Sequence, residues 1–397
     1  MEGTSSQRRA YVGSAFLSGG FRPFYLCGAL YAALAVPFWV LFLHGIVAPG
    51  GAPLEPLYWH AHEMIFGFLG AIVGGFILTA IPNWTGRLPV MGNPLGALLA
   101  LWLAGRVGVA LLGAGAITPA AALLLDLAYP AALVATTLRE IVAGKNWRNL
   151  PVVGLVAVFG LANLLFYISF WTALDPMLAI RLALGGAAVL ITLIGGRITP
   201  SFTRNWLAKG HGEPFPAPFG MVDRAALLLT GLSMLGWAIF VDGPAVGALL
   251  LLAGAVQLVR LLRWQGLRTA SEPLVLILHI GYGWLVVSLL AMGAAALAPY
   301  AVNGSAALHA LTAGAIGTMT LAVMTRSTLG HTGRALTADG GTVAIFVLVN
   351  LGAVLRIAAH LLPMNYVQAT TIAGTFWSAA FLVFALKYGQ YLLTPRR

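Results

Sequence analysis

The amino-acid sequence predicts an all-α, polytopic membrane protein with twelve transmembrane helices. Of its 397 residues, 60% are hydrophobic and only 8% are charged, and the mean hydropathy is +0.91; soluble domains carry about 25% charged residues. Uncharged runs long enough to cross a ~30 Å hydrocarbon core recur along the chain. These runs are too long, and alternate too little, for a transmembrane β-barrel. The composition therefore excludes a soluble globular protein.

Division of the chain at Gly/Pro clusters and at charges gives the predicted spans. They cover residues 22–46, 58–82, 94–114, 117–139, 149–171, 177–200, 222–242, 244–264, 273–297, 304–326, 340–362 and 366–392. With the N-terminus in the cytoplasm, the outer loops contain no Lys or Arg, so the positive-inside rule predicts two cytoplasmic termini. Residues 1–20 are predicted to be a polar cytoplasmic segment without a signal-peptide pattern. Residues 21–397 are predicted to form a single twelve-helix domain.

Charge and cysteine usage restrict the possible functions. The net charge is +11. In a membrane protein, excess Lys and Arg residues determine how the chain is oriented across the membrane, and we expect no nucleic-acid partner. The single cysteine, Cys27, excludes an intramolecular disulfide, an iron–sulfur cluster and a multi-thiolate metal site. Any bound metal must therefore be held by His, carboxylate, Met or Tyr side chains.

Spans 2, 6 and 10 are followed by similar polar sequences rich in Thr, Gly and Arg, at residues 79–87, 197–205 and 326–334. The offset that superposes the first on the third also superposes His62 on His309. This coincidence predicts three repeats of four helices. Chance similarity among Thr/Gly/Arg-rich helix ends is the alternative.

The string Trp59-His60-Ala61-His62-Glu63-Met64 predicts an outer cofactor site. Ionisable residues within spans are costly and usually face a cavity, a partner or a cofactor. On a helix, His60 and His62 point about 200° apart, which suits two cofactors better than one metal ion. Glu63 could orient His60 as an outer-shell acceptor. Interfacial snorkelling or a structural hydrogen bond is the alternative for both histidines.

His62 and His309 are predicted to share one haem as paired axial ligands, since the repeat places them on quasi-equivalent helices at similar depth. The outer site therefore comprises His60, His62 and His309.

A second, inner site is predicted from His279, in span 9, and His331, after span 10. Its level lies on the order of 12 Å from that of the outer site. Arg197 and Arg326 are available there for anionic groups such as haem propionates. The alternatives are an ordinary buried hydrogen bond for His279 and a loop position or helix cap for His331.

Arginines within the predicted spans also need partners. Their candidate anions are haem propionates or nearby carboxylates, and both remain open. The arginines are Arg106, Arg181 and Arg356, and the carboxylates are Glu63, Asp126 and Asp175.

Over nearly its whole length the chain resembles the NnrS family of bacterial inner-membrane proteins. The strings that carry the resemblance are Phe21-Arg22-Pro23-Phe24, Trp59-His60-Ala61-His62-Glu63-Met64, Gly75-Phe76-Ile77-Leu78-Thr79, Asn83-Trp84-Thr85-Gly86, Arg148-Asn149-Leu150-Pro151, Gly195-Gly196-Arg197, Pro200-Ser201-Phe202-Thr203, Leu278-His279 with Tyr282, and residues 309–334.

The resemblance implies a multi-pass protein of the bacterial inner (cytoplasmic) membrane that contains haem b and copper and takes part in the nitric oxide response. It implies nitric oxide as the ligand, an electron donor it does not identify, contact with membrane lipid, and possible redox chemistry on nitric oxide. The family's histidines match His60, His62, His279, His309 and His331.

Two other functional classes stay open. A metal- or proton-coupled transporter would use the histidines as a relay, and a haem or copper storage or sensing factor would only bind the metal. The three-by-four helix organisation also resembles the catalytic subunit of haem–copper oxidases. The His-x-His pair lies here on span 2 instead of span 10, however, so ligands cannot be transferred one by one.

Overall fold

The computed structural model describes residues 11–47, 54–210 and 212–397, and all regular structure within these ranges is helical. Twelve helices are long and apolar enough to cross a membrane, which confirms the all-α prediction and the number of spans. They are α1 Phe21–Leu43, α2 Pro56–Thr85, α3 Asn93–Gly113, α4 Pro119–Ala143, α5 Trp147–Ile168, α6 Pro176–Leu207, α7 Met221–Phe240, α8 Pro244–Leu262, α9 Pro273–Leu297, α10 Gly304–His331, α11 Gly340–Ala358 and α12 Tyr366–Leu393.

Five helices continue beyond their predicted ends, and three of these continuations lie in the similar polar sequences. The spans predicted to end at residues 82, 200 and 326 extend as α2, α6 and α10 to Thr85, Leu207 and His331. Thr85 and Thr203 each donate a hydrogen bond of 2.9 Å to the carbonyl oxygen four residues earlier. Because these hydroxyls are satisfied within their own helix, polar residues do not end it. The similar polar sequences are therefore largely the last turns of helices.

The same three helices each contain a π-helical segment, which the sequence analysis did not predict. The segments are Glu63–Leu69 in α2, Ile191–Gly195 in α6 and Ala310–Ile316 in α10. The offset that superposes His62 on His309 also superposes the first segment on the third. π segments inside α-helices occur frequently at functional sites. Their positions add a structural argument to the three-repeat organisation, which stays a prediction.

A side chain from another helix binds a backbone carbonyl of each π segment. A π turn changes the direction of helical carbonyl groups, and a buried carbonyl needs a partner. The three bonds are Trp102 Nε1 to Gly67 O at 3.0 Å, Arg260 Nη1 to Thr192 O at 2.8 Å and Trp377 Nε1 to Ala313 O at 3.2 Å.

The chain forms two compact units. The first comprises Met1–Ala183, Ser327–Ala335 and Phe384–Arg397, and the second comprises Leu184–Arg326 and Leu336–Val383. In the first unit, α2 packs on α1 and α4, and its π segment contacts α1 and α3. In the second unit, α9 packs on α8 and on the π segments of α6 and α10. The single-domain organisation of residues 21–397 stays a prediction.

Arg22, in the Phe-Arg-Pro-Phe string, caps the C-terminus of α12 within the first unit. Its Nη1 donates to the carbonyl oxygens of Leu392 at 2.9 Å and Thr394 at 2.7 Å. The last carbonyls of a helix have no intrahelical partner, so this buried guanidinium acts as a C-terminal cap.

Candidate functional site

Four charged side chains form a buried cluster in the first unit. They are His62 and Glu63 of α2, Arg106 of α3 and Asp126 of α4, and none is more than 8% exposed. Glu63 is also the first residue of the π segment of α2. We call these four residues the ionic cluster. Four charges buried within three membrane-length helices are energetically costly.

Arg106 joins the two carboxylates of the cluster. Its Nη1 donates to Glu63 Oε1 and its Nη2 donates to Asp126 Oδ1. The sequence left haem propionates and carboxylates open as the partners of Arg106, and the structure shows carboxylates. Arg181 likewise contacts Asp175, at 3.2 Å.

His62 uses both ring nitrogens inside the cluster. Its Nδ1 lies 2.8 Å from Glu63 Oε1, and its Nε2 lies 3.0 Å from Asn163 Oδ1 and 3.2 Å from Asp126 Oδ2. The Asn163 amide nitrogen donates to Asp126 Oδ2 at 2.9 Å, which turns its oxygen toward His62. Since every partner is an oxygen acceptor, both ring nitrogens must donate, and the ring carries a positive charge. The cluster thus balances two cations against two carboxylates.

Two tyrosines complete the hydrogen bonding of the carboxylates. Tyr31 donates its hydroxyl to Glu63 Oε2, and Tyr167 donates to Asp126 Oδ2 at 3.3 Å. Both carboxylates therefore have partners on each oxygen, as a buried charge requires. Tyr31, Asn163 and Tyr167 were not predicted from the sequence. For two of them there was a signal, the polar pair at residues 163 and 167, one turn apart in the otherwise apolar residues 150–168.

A cavity of about 30 Å³ adjoins the ionic cluster. Asp126 and Asn163 line it, together with apolar side chains that include Phe66, Leu133 and Val156. The volume is sufficient for a molecule the size of water. The cluster therefore has a small, mostly apolar space beside it.

His60 and His62 contact different helices, as their spacing predicts. The His60 ring stacks on Trp39 of α1, with centroids 4.7 Å apart and planes at 17°, whereas His62 contacts α4 and α5. Metal binding by either histidine stays a prediction. For His62, ligation would require the loss of at least one hydrogen bond described above, because a protonated ring nitrogen has no lone pair to offer.

His309, in the second unit, has the tautomer that suits a ligand. Its Nδ1 lies 2.7 Å from the carbonyl oxygen of Ser305. The carbonyl can only accept, so the Nδ1 carries a proton and the lone pair of the neutral ring resides on Nε2. His62 belongs to the first unit, and the shared haem of His62 and His309 stays a prediction.

His279 of α9, only 7% exposed, has one ring nitrogen unused. Its Nε2 lies 2.8 Å from the hydroxyl of Thr203, and that hydroxyl donates to the carbonyl of Thr199. Nε2 must therefore be the donor, which leaves the lone pair on Nδ1. Within the described residues this buried Nδ1 has no hydrogen-bond partner. A Cβ at Gly266 would lie 2.6 Å from it, so the ring packs closely against Gly266 and a side chain at that position would not fit.

The other residues of the predicted inner site lie on helices, not in loops. His331 is the last residue of α10, and its ring lies 5.5 Å from that of Phe21 within the first unit. Arg197 lies in α6, and Arg326 lies in α10 with its guanidinium 4.0 Å from the centroid of the Phe202 ring. His279 and His331 belong to different units, so their shared site stays a prediction.

Across residues 11–47, 54–210 and 212–397, no group of three or more His, Cys, Asp or Glu is arranged to hold a metal ion. The unpartnered Nδ1 of His279 fits single imidazole ligation, as an axial haem ligand provides.

Comparison with known proteins identifies the family. No curated protein sequence matches the chain. The family described as NnrS protein matches residues 15–396, which is nearly the whole chain. This protein therefore belongs to the NnrS family.

Proposed function

We propose that this protein is a haem- and copper-binding protein of the bacterial inner membrane that handles nitric oxide or protects against nitrosative stress. The nitric oxide context comes from the family, and the ligand chemistry comes from the histidines. Haem iron with an open position binds nitric oxide, and an adjacent redox metal supports its reduction or transfer.

The observation that carries the proposal is the unused Nδ1 of His279. A buried polar atom without a partner costs about 1–3 kcal/mol. Here the atom has a lone pair, belongs to a family histidine and lies next to Gly266, where no side chain covers it. A bound metal would satisfy it.

We assign the remaining candidate residues by the unit that contains them. In the first unit, His60, His62 and His331 are candidate ligands, and Glu63 is a positioning carboxylate 2.8 Å from His62 Nδ1. In the second unit, His309 is a candidate ligand in addition to His279. Arg197 and Arg326 of that unit bind anionic groups, such as propionates.

The proposal is tested by the metal content and absorption spectrum of two variants of the His279 region. His279→Ala removes the nitrogen, and Gly266→Ala keeps the histidine but places a methyl group against Nδ1. Both should lose the same haem or copper component. His360→Ala is the matched control, because His360 stacks on Tyr366 in the same unit and matches no family histidine. Unchanged haem and copper in both variants would remove His279 from the ligand set.

The ionic cluster favours a second candidate, a proton- or metal-coupled transporter. Ionisable residues that pair inside the membrane mark ion pathways in transporters. A storage or sensing factor would share the histidine ligands. Near-stoichiometric haem in purified protein argues against transport alone, and a spectrum that does not respond to nitric oxide argues for storage.

A further inference from the structure

A groove of about 480 Å³ lies where α2 and α4 end and α3 begins. Two arginines and one glutamate form its polar part, and its apolar wall is the connection between α2 and α3. The polar residues are Arg87, Arg139 and Glu140, and the wall residues are Leu88, Pro89, Val90, Met91 and Pro94. Because the groove lies at the ends of membrane spans, it is at the level of lipid headgroups.

Glu140 holds both arginines in place. Its buried carboxylate accepts from Arg87 Nε at 2.6 Å and from Arg139 Nη2 at 2.8 Å. One carboxylate neutralises only one of the two cations, so the groove keeps a positive charge. The two guanidinium groups are arranged before any ligand binds, which lowers the cost of binding.

The arginines keep donors for another partner. Arg87 is 44% exposed and Arg139 is 69% exposed. No bond within the described residues engages the Nη atoms of Arg87 or Nη1 of Arg139. Planar guanidinium donors match the geometry of a phosphate group. The N-terminus of α3 adds the positive end of a 21-residue helix.

A further cation, Lys145, follows the end of α4 in the sequence. The next residue, Asn146, donates its side-chain amide to the carbonyl of Trp84 near the end of α2. This bond fastens the loop after α4 to the helix that leads to Arg87. The local surface therefore carries an excess of positive charge next to apolar side chains.

We propose that this groove binds the headgroup of an anionic phospholipid, with the phosphate on Arg87 and Arg139. The apolar wall distinguishes a lipid from free phosphate, because it contacts the glycerol and upper acyl region while the arginines hold the anion. Basic pockets between transmembrane helices at the cytoplasmic surface are typical sites for such headgroups. The site is independent of the proposed metal chemistry.

The test measures lipid binding to the full-length protein in neutral detergent, by native mass spectrometry and by the shift in melting temperature. Phosphatidylglycerol, phosphatidylcholine and inorganic phosphate are compared. Phosphatidylglycerol should bind and raise the melting temperature, with the other two much weaker. In Arg87→Gln/Arg139→Gln, the apparent Kd for phosphatidylglycerol should rise about fivefold for each arginine. Arg224→Gln, an exposed arginine at the start of α7, is the matched control and should bind as the wild type does.

Three outcomes would overturn the proposal. They are equal phosphatidylglycerol binding by the double variant, an equal loss in the control, and an equal response to inorganic phosphate. If the double variant fails to fold, Arg139→Gln alone decides the question, because that exposed side chain contributes little to folding. A second variant, Met91→Trp, keeps both arginines and should block the contact between the lipid and the apolar wall.

Discussion

Each unit buries one arginine beside a π segment, but the two arginines have different surroundings. Arg106 lies between two carboxylates, and His62 adds a second cation. Arg260 pairs with one buried carboxylate, that of Asp223, at 2.8 Å. Its Nη1 donates to the Tyr282 hydroxyl at 2.7 Å and to a π-segment carbonyl. We call Arg260, Asp223 and Tyr282 the Arg260 network.

The two regions differ in how much charge they bury. The Arg260 network buries one arginine and one carboxylate, and the less buried Arg263 lies with its Nη1 3.6 Å from the same Asp223 carboxylate. The ionic cluster contains four charges, one of them on a histidine, although one tryptophan, Trp102, binds the neighbouring π-segment carbonyl. Charge in a membrane interior is costly and is typical of functional sites. The excess charge makes the ionic cluster a candidate functional site, in addition to the unpartnered His279 of the second unit.

The largest expected effect tests the ionic cluster. Arg106→Gln leaves two buried carboxylates without their shared cation, which should cost about 3–5 kcal/mol and lower the yield of folded protein. Thermal unfolding monitored by size-exclusion chromatography measures the loss. Arg181→Gln is the matched control, because its partner Asp175 is exposed, and it should change stability by less than about 1 kcal/mol. Similar losses in both variants would mean that the cluster is not specially costly to break.

A smaller effect is expected for the Arg260 network. Arg260→Gln leaves one buried carboxylate, and Asp223 still accepts from the backbone N–H of Gly220 at 2.9 Å. The expected loss is about 2–3 kcal/mol, from hydrogen bonds to charged groups. The same unfolding assay ranks it against Arg106→Gln. A loss larger than that of Arg106→Gln would reverse the comparison.

The smallest effect concerns the tryptophans that bind π-segment carbonyls. Trp102→Phe and Trp377→Phe each remove one indole N–H and should cost about 1 kcal/mol. Trp171→Phe, at an exposed tryptophan, should cost less. Equal stability of all three variants would show that these carbonyls find other partners.

The sequence predicted the number and order of the spans because apolar length is a local property. It did not predict the π segments, since nothing local distinguishes residues 63–69 from an ordinary helical run. It named Arg106, Glu63 and Asp126 as possible partners, but the place of His62 between them depends on how separate helices rotate. The ends of α2, α6 and α10 were placed too early because threonines look like loop residues until their bonds to their own helix are seen.

The central claim, that histidines of this membrane protein hold haem and copper, is tested most directly by the cofactor content of the purified wild-type protein. A pyridine-haemochrome assay with metal analysis, on protein from haem-replete cells, should find about one or more haems per chain together with copper. A colourless preparation from such cells, with neither metal present, would contradict the account.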